Sequence, residues 1–325
     1  MKNWEKFIRR VYDTKTKNIF ITGSNTYLLS SEIATSLRGR TFSIEVLPLS
    51  FKEFLSFKEI EPELYTTNGI ATLERVFEEF LVWGGYPELI GYSYDIRLRI
   101  LQEYFNVMIY KDLIERYNIG DVHIIKYLLK RIYSSFTKEF SVNKLYNELK
   151  SRGFAITKDK IYNYIHYIRN GYFAKIVEKY NPSIVKQELG TKKIYLFDNG
   201  MYSANTVRLE TNKGKLLENL IFIELHRRYK DIFFYKNRFE CDFIILDAKE
   251  ALAIQATYLL TPENMEREIK GIYKVLKRFP KIKNGIIIAH KIQENLDLPK
   301  LDKNIKIVNA IKWMLNFPEN KESLF

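Results

Sequence analysis

Apolar residues recur along this chain with two periods, and the switches between them mark its segments. Trp4, Phe7, Ile8 and Val11 form a stripe at helical spacing. The β-branched and aromatic run Ile19-Phe20-Ile21 stops at Thr22-Gly23-Ser24-Asn25, as a buried strand does on entering a loop. Ser30-Ser31-Glu32 opens a helical pattern that fades near Leu37, and Phe42 to Val46 reads as a second strand. Strand, loop, helix and strand in this order predict a piece of an α/β domain. Leu73, Val76, Phe77, Phe80 and Leu81 then predict a helix up to Trp83. Gly84-Gly85-Tyr86-Pro87 ends it, because Gly accepts a left-handed cap and Pro cannot continue a helix. Ile96 to Arg116 reads as another helix, on which Asp112 and Arg116 stand four apart as an ion pair.

From Asp121 the pattern is helix, helix, helix and hairpin. Asp121 caps a helix carrying Ile124, Ile125, Leu128, Leu129 and Ile132, and Ser141 caps one with Leu145 and Leu149 inside. Thr157 caps a third, Lys158 to Asn170, whose core positions are Ile161, Ile165 and Ile168. Tyr172 to Lys179 and Lys193 to Phe197 follow as two strands joined by a loop. This order is the winged-helix plan, with the third helix available to a DNA major groove. Beyond Asn212 come a helix over Lys213 to Tyr229 and strands at Ile232–Tyr235, Cys241–Leu246 and Leu252–Tyr258. A helix over Glu263 to Phe279 and strands at Gly285–Ala289 and Ile305–Val308 complete the pattern.

The wording of two stretches is more specific than their periodicity. Ile21-Thr22-Gly23-Ser24, Leu37-Arg38-Gly39-Arg40 and Pro48-Leu49-Ser50-Phe51-Lys52-Glu53-Phe54 resemble the far half of the nucleotide-binding domain of archaeal and bacterial AAA-like P-loop ATPases. The resemblance implies a γ-phosphate sensor at Asn25 (or Ser24), and phosphate-contacting arginines at Arg38 and Arg40. A P-loop needs glycines to cradle phosphate, then Lys and Ser/Thr for phosphate and Mg²⁺. No G-x-x-x-x-G-K-[ST] occurs in the 325 residues, so this chain alone is expected not to hydrolyse ATP. ATP is then a cofactor of full-length relatives, and Asn25, Arg38 and Arg40 are remnants. A separately encoded P-loop partner would complete the missing half, and a homo-oligomer is the other expected assembly.

The second stretch is Leu216-Leu217-Glu218-Asn219, Glu240-Cys241-Asp242-Phe243 and Ala251 to Tyr258, which resemble the restriction-endonuclease-like core. The active form of that site implies an acid on the first helix, an Asp, then Glu/Asp-x-Lys on the next strand. Such carboxylates hold Mg²⁺ or Mn²⁺ through oxygen while the Lys steadies charge at the attacked phosphate. Glu218 and Asp242 fit, with Asp242 a metal ligand. Gln255 stands in the place of the second acid and Thr257 in that of the Lys. A degenerate, non-cleaving site is therefore expected, unless Lys270 or Lys274 reaches in from the following helix.

The predicted architecture is α/β and multidomain. It comprises a partial ATPase piece (1–60), a helical lid or linker (61–120), a winged helix (121–200) and a restriction-endonuclease-like unit (201–325). Charge bears on the partner. The chain has 52 Lys+Arg against 39 Asp+Glu and a pI near 9.4, which favours an anionic partner, DNA above all. Residues 121–180 carry twelve Lys/Arg and five Asp/Glu. On the third helix Lys158, Lys160, Asn163, Tyr164 and Arg169 are the candidate DNA contacts, cations for phosphate and Asn for base edges. No apolar run approaches the roughly 20 residues that span a bilayer. A single cysteine, Cys241, excludes an internal disulfide and suits a reducing cytoplasm. The alternatives to a DNA-associated, non-enzymatic ATPase relative are a metal-dependent DNA nuclease using Glu218 and Asp242, and a module that completes a P-loop partner.

Overall fold

The computed structural model describes residues 4–23, 42–206, 212–247 and 250–316. They form a mixed α/β structure around one eight-stranded mixed sheet. Helix α1 spans Trp4–Thr14. The two short apolar runs that follow are not strands: residues 18–23 and 42–47 have neither helical nor strand conformation. No strand of the described residues lies beside them, so their N–H and C=O groups lack a ladder, and Phe20, Phe42 and Val46 face solvent. The expected helix between the two runs lies outside the described residues.

The Pro48-to-Phe54 segment becomes helix α2, Phe51–Phe57, started by a capping box in which Ser50 and Glu53 bond each other's backbone N–H. Its buried Phe51 and Phe54 pack against Phe77 and Phe80 of α3, Thr67–Trp83. Gly84 caps α3 at φ +73°, where a Cβ would meet the Asp198 carboxylate at 2.1 Å. Asp198 also accepts Gly85 N–H at 2.8 Å and Gly200 N–H at 2.7 Å, so the Gly-Gly turn is a socket for a carboxylate. Helix α4, Tyr94–Val107, continues as a π-helical segment over Met108–Glu115. The Asp112–Arg116 pair expected near its end forms at 3.8 Å.

Next come α5, Val122–Ser134; β1, Glu139–Phe140; α6, Val142–Ser151; α7, Lys158–Asn170; and β2, Lys175–Lys179. A short helix α8, Ile184–Glu188, stands in the loop before β3, Lys192–Tyr195. Helix α9 is Asn199–Asn205 and α10 is Lys213–His226. The remaining elements are β4, Ile232–Lys236; β5, Glu240–Leu246; β6, Ala251–Leu260; α11, Pro262–Arg278; β7, Asn284–Ile292; β8, Ile305–Asn309; and α12, Ala310–Asn316.

The sheet order is β1-β3-β2-β4-β5-β6-β7-β8. Strand β2 pairs in parallel with β4 through Glu178–Phe233 and Lys179–Phe234, so the hairpin after α7 extends the C-terminal sheet. Both faces of the C-terminal strands are buried, and successive residues serve opposite sides. Phe243, Ile245, Leu252, Ile254, Ile286 and Ile288 join the main core with α10, α3 and α12. Ile244, Ala253 and Ile287 pack on the other side with Ile272 and Val275 of α11. Gln255 continues this second set, and its side chain meets Glu268 of α11. No described helix is long and apolar enough to cross a membrane.

Candidate functional site

The site is assembled where β3 meets α10. Asn219, one residue after Glu218, is fully buried and clamps β3: it accepts Leu196 N–H at 2.8 Å and donates to Leu196 O at 3.1 Å. It also donates to Asn199 Oδ1 at 2.9 Å, and Asn199 donates to Leu81 O and Leu216 O. This chain of amides fixes β3 against α10 and α3, which is the structural work of the Asn in Leu-Leu-Glu-Asn. With β3 so held, Lys193 runs inward and is only 2% exposed.

The Lys193 ammonium lies 3.0 Å from Glu218 Oε1, 3.1 Å from Glu240 Oε1 and 3.4 Å from Asp242 Oδ1. An ammonium has three N–H groups, and here three carboxylates stand around it. Tyr195, two residues along the same strand face, donates its hydroxyl to Glu218 Oε1 at 2.7 Å. Ala256 N–H donates to Asp242 Oδ2 at 3.0 Å, and Lys236 pairs with the outer oxygen of Glu240 at 3.0 Å. No lysine was expected here from β3. Lys270 and Lys274, the expected candidates, are exposed on α11 and line an open cleft of about 520 Å³ with Arg238 and Arg267.

Gln255 does not take the role of a second acid. Its Oε1 accepts Asp242 N–H at 3.0 Å, and its Nε2 donates to Glu268 Oε2 at 2.6 Å. Glu268, on α11, is buried and is also held by Arg267 at 2.5 Å. A carboxylate thus stands one side chain away from the position the sequence leaves neutral. Thr257 Oγ1 donates to Leu259 O at 3.2 Å and stays with its own strand.

Burial sets the electrostatics. It pushes the Glu218 carboxyl up to about 7, with Asp242 adding to the effect and Lys193 opposing it. Burial likewise raises Asp242 and Glu268. For Lys193 burial opposes the charge, but Glu218, Tyr195, Asp242 and Glu240 outweigh it and keep the ammonium protonated well above its ordinary range. Glu240 is lowered: burial works against this, and Lys193 and Lys236 overcome it. Among the described residues no group of three or more His, Cys, Asp or Glu side chains is arranged to hold a metal ion. The carboxylates converge instead on an internal cation.

On α7 the candidate DNA contacts separate into two sets. Lys158, Asn163 and Arg169 are exposed. Tyr164 is buried and donates to Asp121 Oδ2 at 3.2 Å, while Lys160 is ion-paired to the same Asp121. Tyr164 follows the buried stripe of Ile161, Ile165 and Ile168, so its ring belongs to the core, and its hydroxyl explains where Asp121 points. Tyr162 and His166 share the exposed face with Arg169 and line a cleft with it. Asn25, Arg38 and Arg40 lie outside the described residues.

Two family models match the chain: an AAA domain over residues 1–55, and a domain of unknown function (DUF8612) over residues 74–212. An uncharacterized protein of Methanocaldococcus jannaschii, MJ1544, is 37% identical over 325 residues, covering 97% of this chain and 72% of its own. This chain belongs to the family of that archaeal protein. An uncharacterized protein of Haemophilus influenzae is also similar, 26% identical over 316 residues, covering 97% of this chain and 75% of its own. The AAA match places an AAA-like segment at residues 1–55 in this member of the family. No solved structure matches the chain.

Proposed function

We propose that this member of the AAA-linked family is a nucleic-acid-associated protein whose C-terminal unit binds without cutting. In this reading residues 121–200 are a winged helix and residues 201–325 a restriction-endonuclease-like unit in which Lys193 takes the place of a divalent cation. The observation that carries it is the Lys193 ammonium, 3.0–3.4 Å from Glu218, Glu240 and Asp242. An ammonium with its donors engaged neutralises these carboxylates but supplies no bound water to attack a phosphate. The residues as arranged do not fit Mg²⁺ or Mn²⁺, and no step is routed through either. Nucleic-acid association draws on the surplus of Lys and Arg and on the exposed face of α7. Without a P-loop motif, the chain alone does not hydrolyse ATP. Exposed Phe20, Phe42, Ile44 and Val46, within the AAA-matched segment, support a P-loop-bearing partner that covers them.

The test is cleavage. Supercoiled plasmid incubated with the chain and Mg²⁺ or Mn²⁺ should stay intact, and Lys193→Ala should gain saturable Mn²⁺ binding that the parent lacks. A second reading, metal-dependent cleavage with Lys193 as the lysine and Glu268 as the displaced acid, is favoured by the Gln255–Glu268 contact. Nicking by the unmodified chain, abolished by Asp242→Ala and by Glu268→Gln, would replace the first reading with the second.

A further inference from the structure

The C-terminal half of α7 does not stand clear of the molecule. A cleft of about 380 Å³ lies between it, the start of α6 and the loop that joins β2 to β3. Buried Phe140 and Ile165 give the cleft an apolar lining. Tyr162, half exposed, stands with His166 and Arg169 on the α7 wall, and Leu189 to Lys192 make the other. That second wall is fixed. Lys192 Nζ donates to Glu178 Oε1 at 2.6 Å, Gln187 Nε2 to Glu178 Oε2 at 3.0 Å, and Thr191 Oγ1 to Glu139 Oε1 at 2.7 Å. The cations of the cleft, Arg169 and Lys192, are matched by the carboxylates of Glu178 and Glu188, so its interior suits an uncharged group. Beside it, α8 buries none of its residues: Ile184 is 73% and Val185 64% exposed, Leu189 just beyond is 84% exposed, and Lys186 lies among them.

A flat group with apolar faces and polar edges fits such a lining, and the volume is that of a small-ligand cleft, about 300–1,000 Å³. A nucleobase has this form, but a duplex shows only base edges in its grooves, the faces being stacked. Only a base that has left its stack presents a face to Tyr162. Two of the residues that a major-groove contact would use, Tyr164 and Lys160, are also withdrawn to Asp121. We propose that this cleft receives an unpaired base of single-stranded DNA. Tyr162 stacks on that base, the aliphatic side chains of α8 and Leu189 meet its neighbours, and exposed Arg169, Lys186 and Lys158 serve the phosphates. The inference rests on the reading of the chain as nucleic-acid-associated and narrows it to strands with open bases.

The full chain is titrated at low salt with labelled oligo-dT and with a duplex of the same length, both followed by fluorescence anisotropy. Oligo-dT should bind more tightly than the duplex. Tyr162→Ala should weaken oligo-dT binding by about tenfold, the loss of one stacked base, with duplex affinity unchanged and Tyr162→Phe like the parent. Leu189→Ser should weaken it by about three- to fivefold, for one partly covered aliphatic side chain. A single 2-aminopurine within the oligomer should be quenched by the parent and not by Tyr162→Ala. A duplex bound as tightly as oligo-dT, or affinity and quenching unchanged in both variants, would overturn the proposal and leave the nucleic-acid reading standing. Absence of saturable binding of either probe to the parent would overturn both.

Discussion

Basic residues at two places in this molecule carry the same sign of charge and have opposite physics. Lys193 is inside, its ammonium matched by Glu218, Glu240 and Asp242. Lys158 and Arg169 are outside on α7, free to exchange partners with solvent and salt. A buried ammonium is bound to one arrangement, because removing any partner leaves a charge in low dielectric. An exposed one contributes almost nothing to stability and all of its effect to long-range attraction. Basic charge counted along the sequence treats the two alike, and it is burial that assigns one to architecture and the other to recognition.

The largest expected effect tests the interior side. Lys193→Ala should cost about 3–5 kcal/mol, since three carboxylates lose their cation at once. Urea denaturation measures it, and a loss below about 1 kcal/mol would place Lys193 with the surface set. Asn219→Ala should cost about 2–3 kcal/mol by stranding the Leu196 and Asn199 groups it satisfies. Here the informative readout is faster limited proteolysis at β3, because the clamp that aims Lys193 would be gone.

A third prediction uses pH. The carboxyls of Glu218, Glu224 and Asp198 are each raised to about 7, in every case by burial. A raised carboxyl pKa means that the folded state holds its proton more tightly than the unfolded one. Its contribution is complete below the ordinary carboxylate range and is lost as pH rises through about 7. The melting temperature should therefore fall between pH 5 and pH 8, by roughly 2–4 °C per kcal/mol lost. Glu218→Gln should flatten that slope, and an unchanged slope would mean that Lys193 holds Glu218 ionised throughout. The smallest effect on stability belongs to the exterior. Lys158→Ala with Arg169→Ala should change stability by less than about 0.5 kcal/mol. The same pair should make log affinity for DNA less steep against log salt by about 1–2 units, near one per lost phosphate contact. An unaltered slope would remove α7 from the nucleic-acid surface.

Much of the architecture follows from apolar spacing. Helix α3 ends at Trp83 as its stripe and the Gly-Gly turn predict, and the C-terminal helix, three strands, helix and strand stand in the expected order. Identical reasoning misreads Ile19–Ile21 and Phe42–Val46, although Ile286-Ile287-Ile288 is correctly a strand. The difference is neighbours: β7 has β6 and β8 beside it, while the described residues give the earlier runs none. Short-range pattern reports the capacity to pair, and pairing itself is a long-range event. Two side chains of the site were missed for a related reason. Lys193 comes from a strand about 50 residues before Asp242 in sequence, in a different predicted unit. Glu268 did leave a trace, since it shares the i, i+3, i+4, i+7 stripe with Gly271, Ile272 and Val275 on α11. An acid on an apolar stripe signals a buried partner, and here that partner is Gln255.

The parallel pairing of β2 with β4 has a consequence for anyone who divides this chain. A cut near residue 200 looks natural, because it separates the hairpin from α10. It would instead uncover two strand edges, one on each fragment, each offering unpaired N–H and C=O groups as a template for intermolecular association. The C-terminal fragment would also carry Glu218, Glu240 and Asp242 without their lysine. Separate expression of the two pieces should therefore give aggregates, and mixing them during refolding should recover soluble material. The molecule is better treated as one indivisible body than as modules joined end to end.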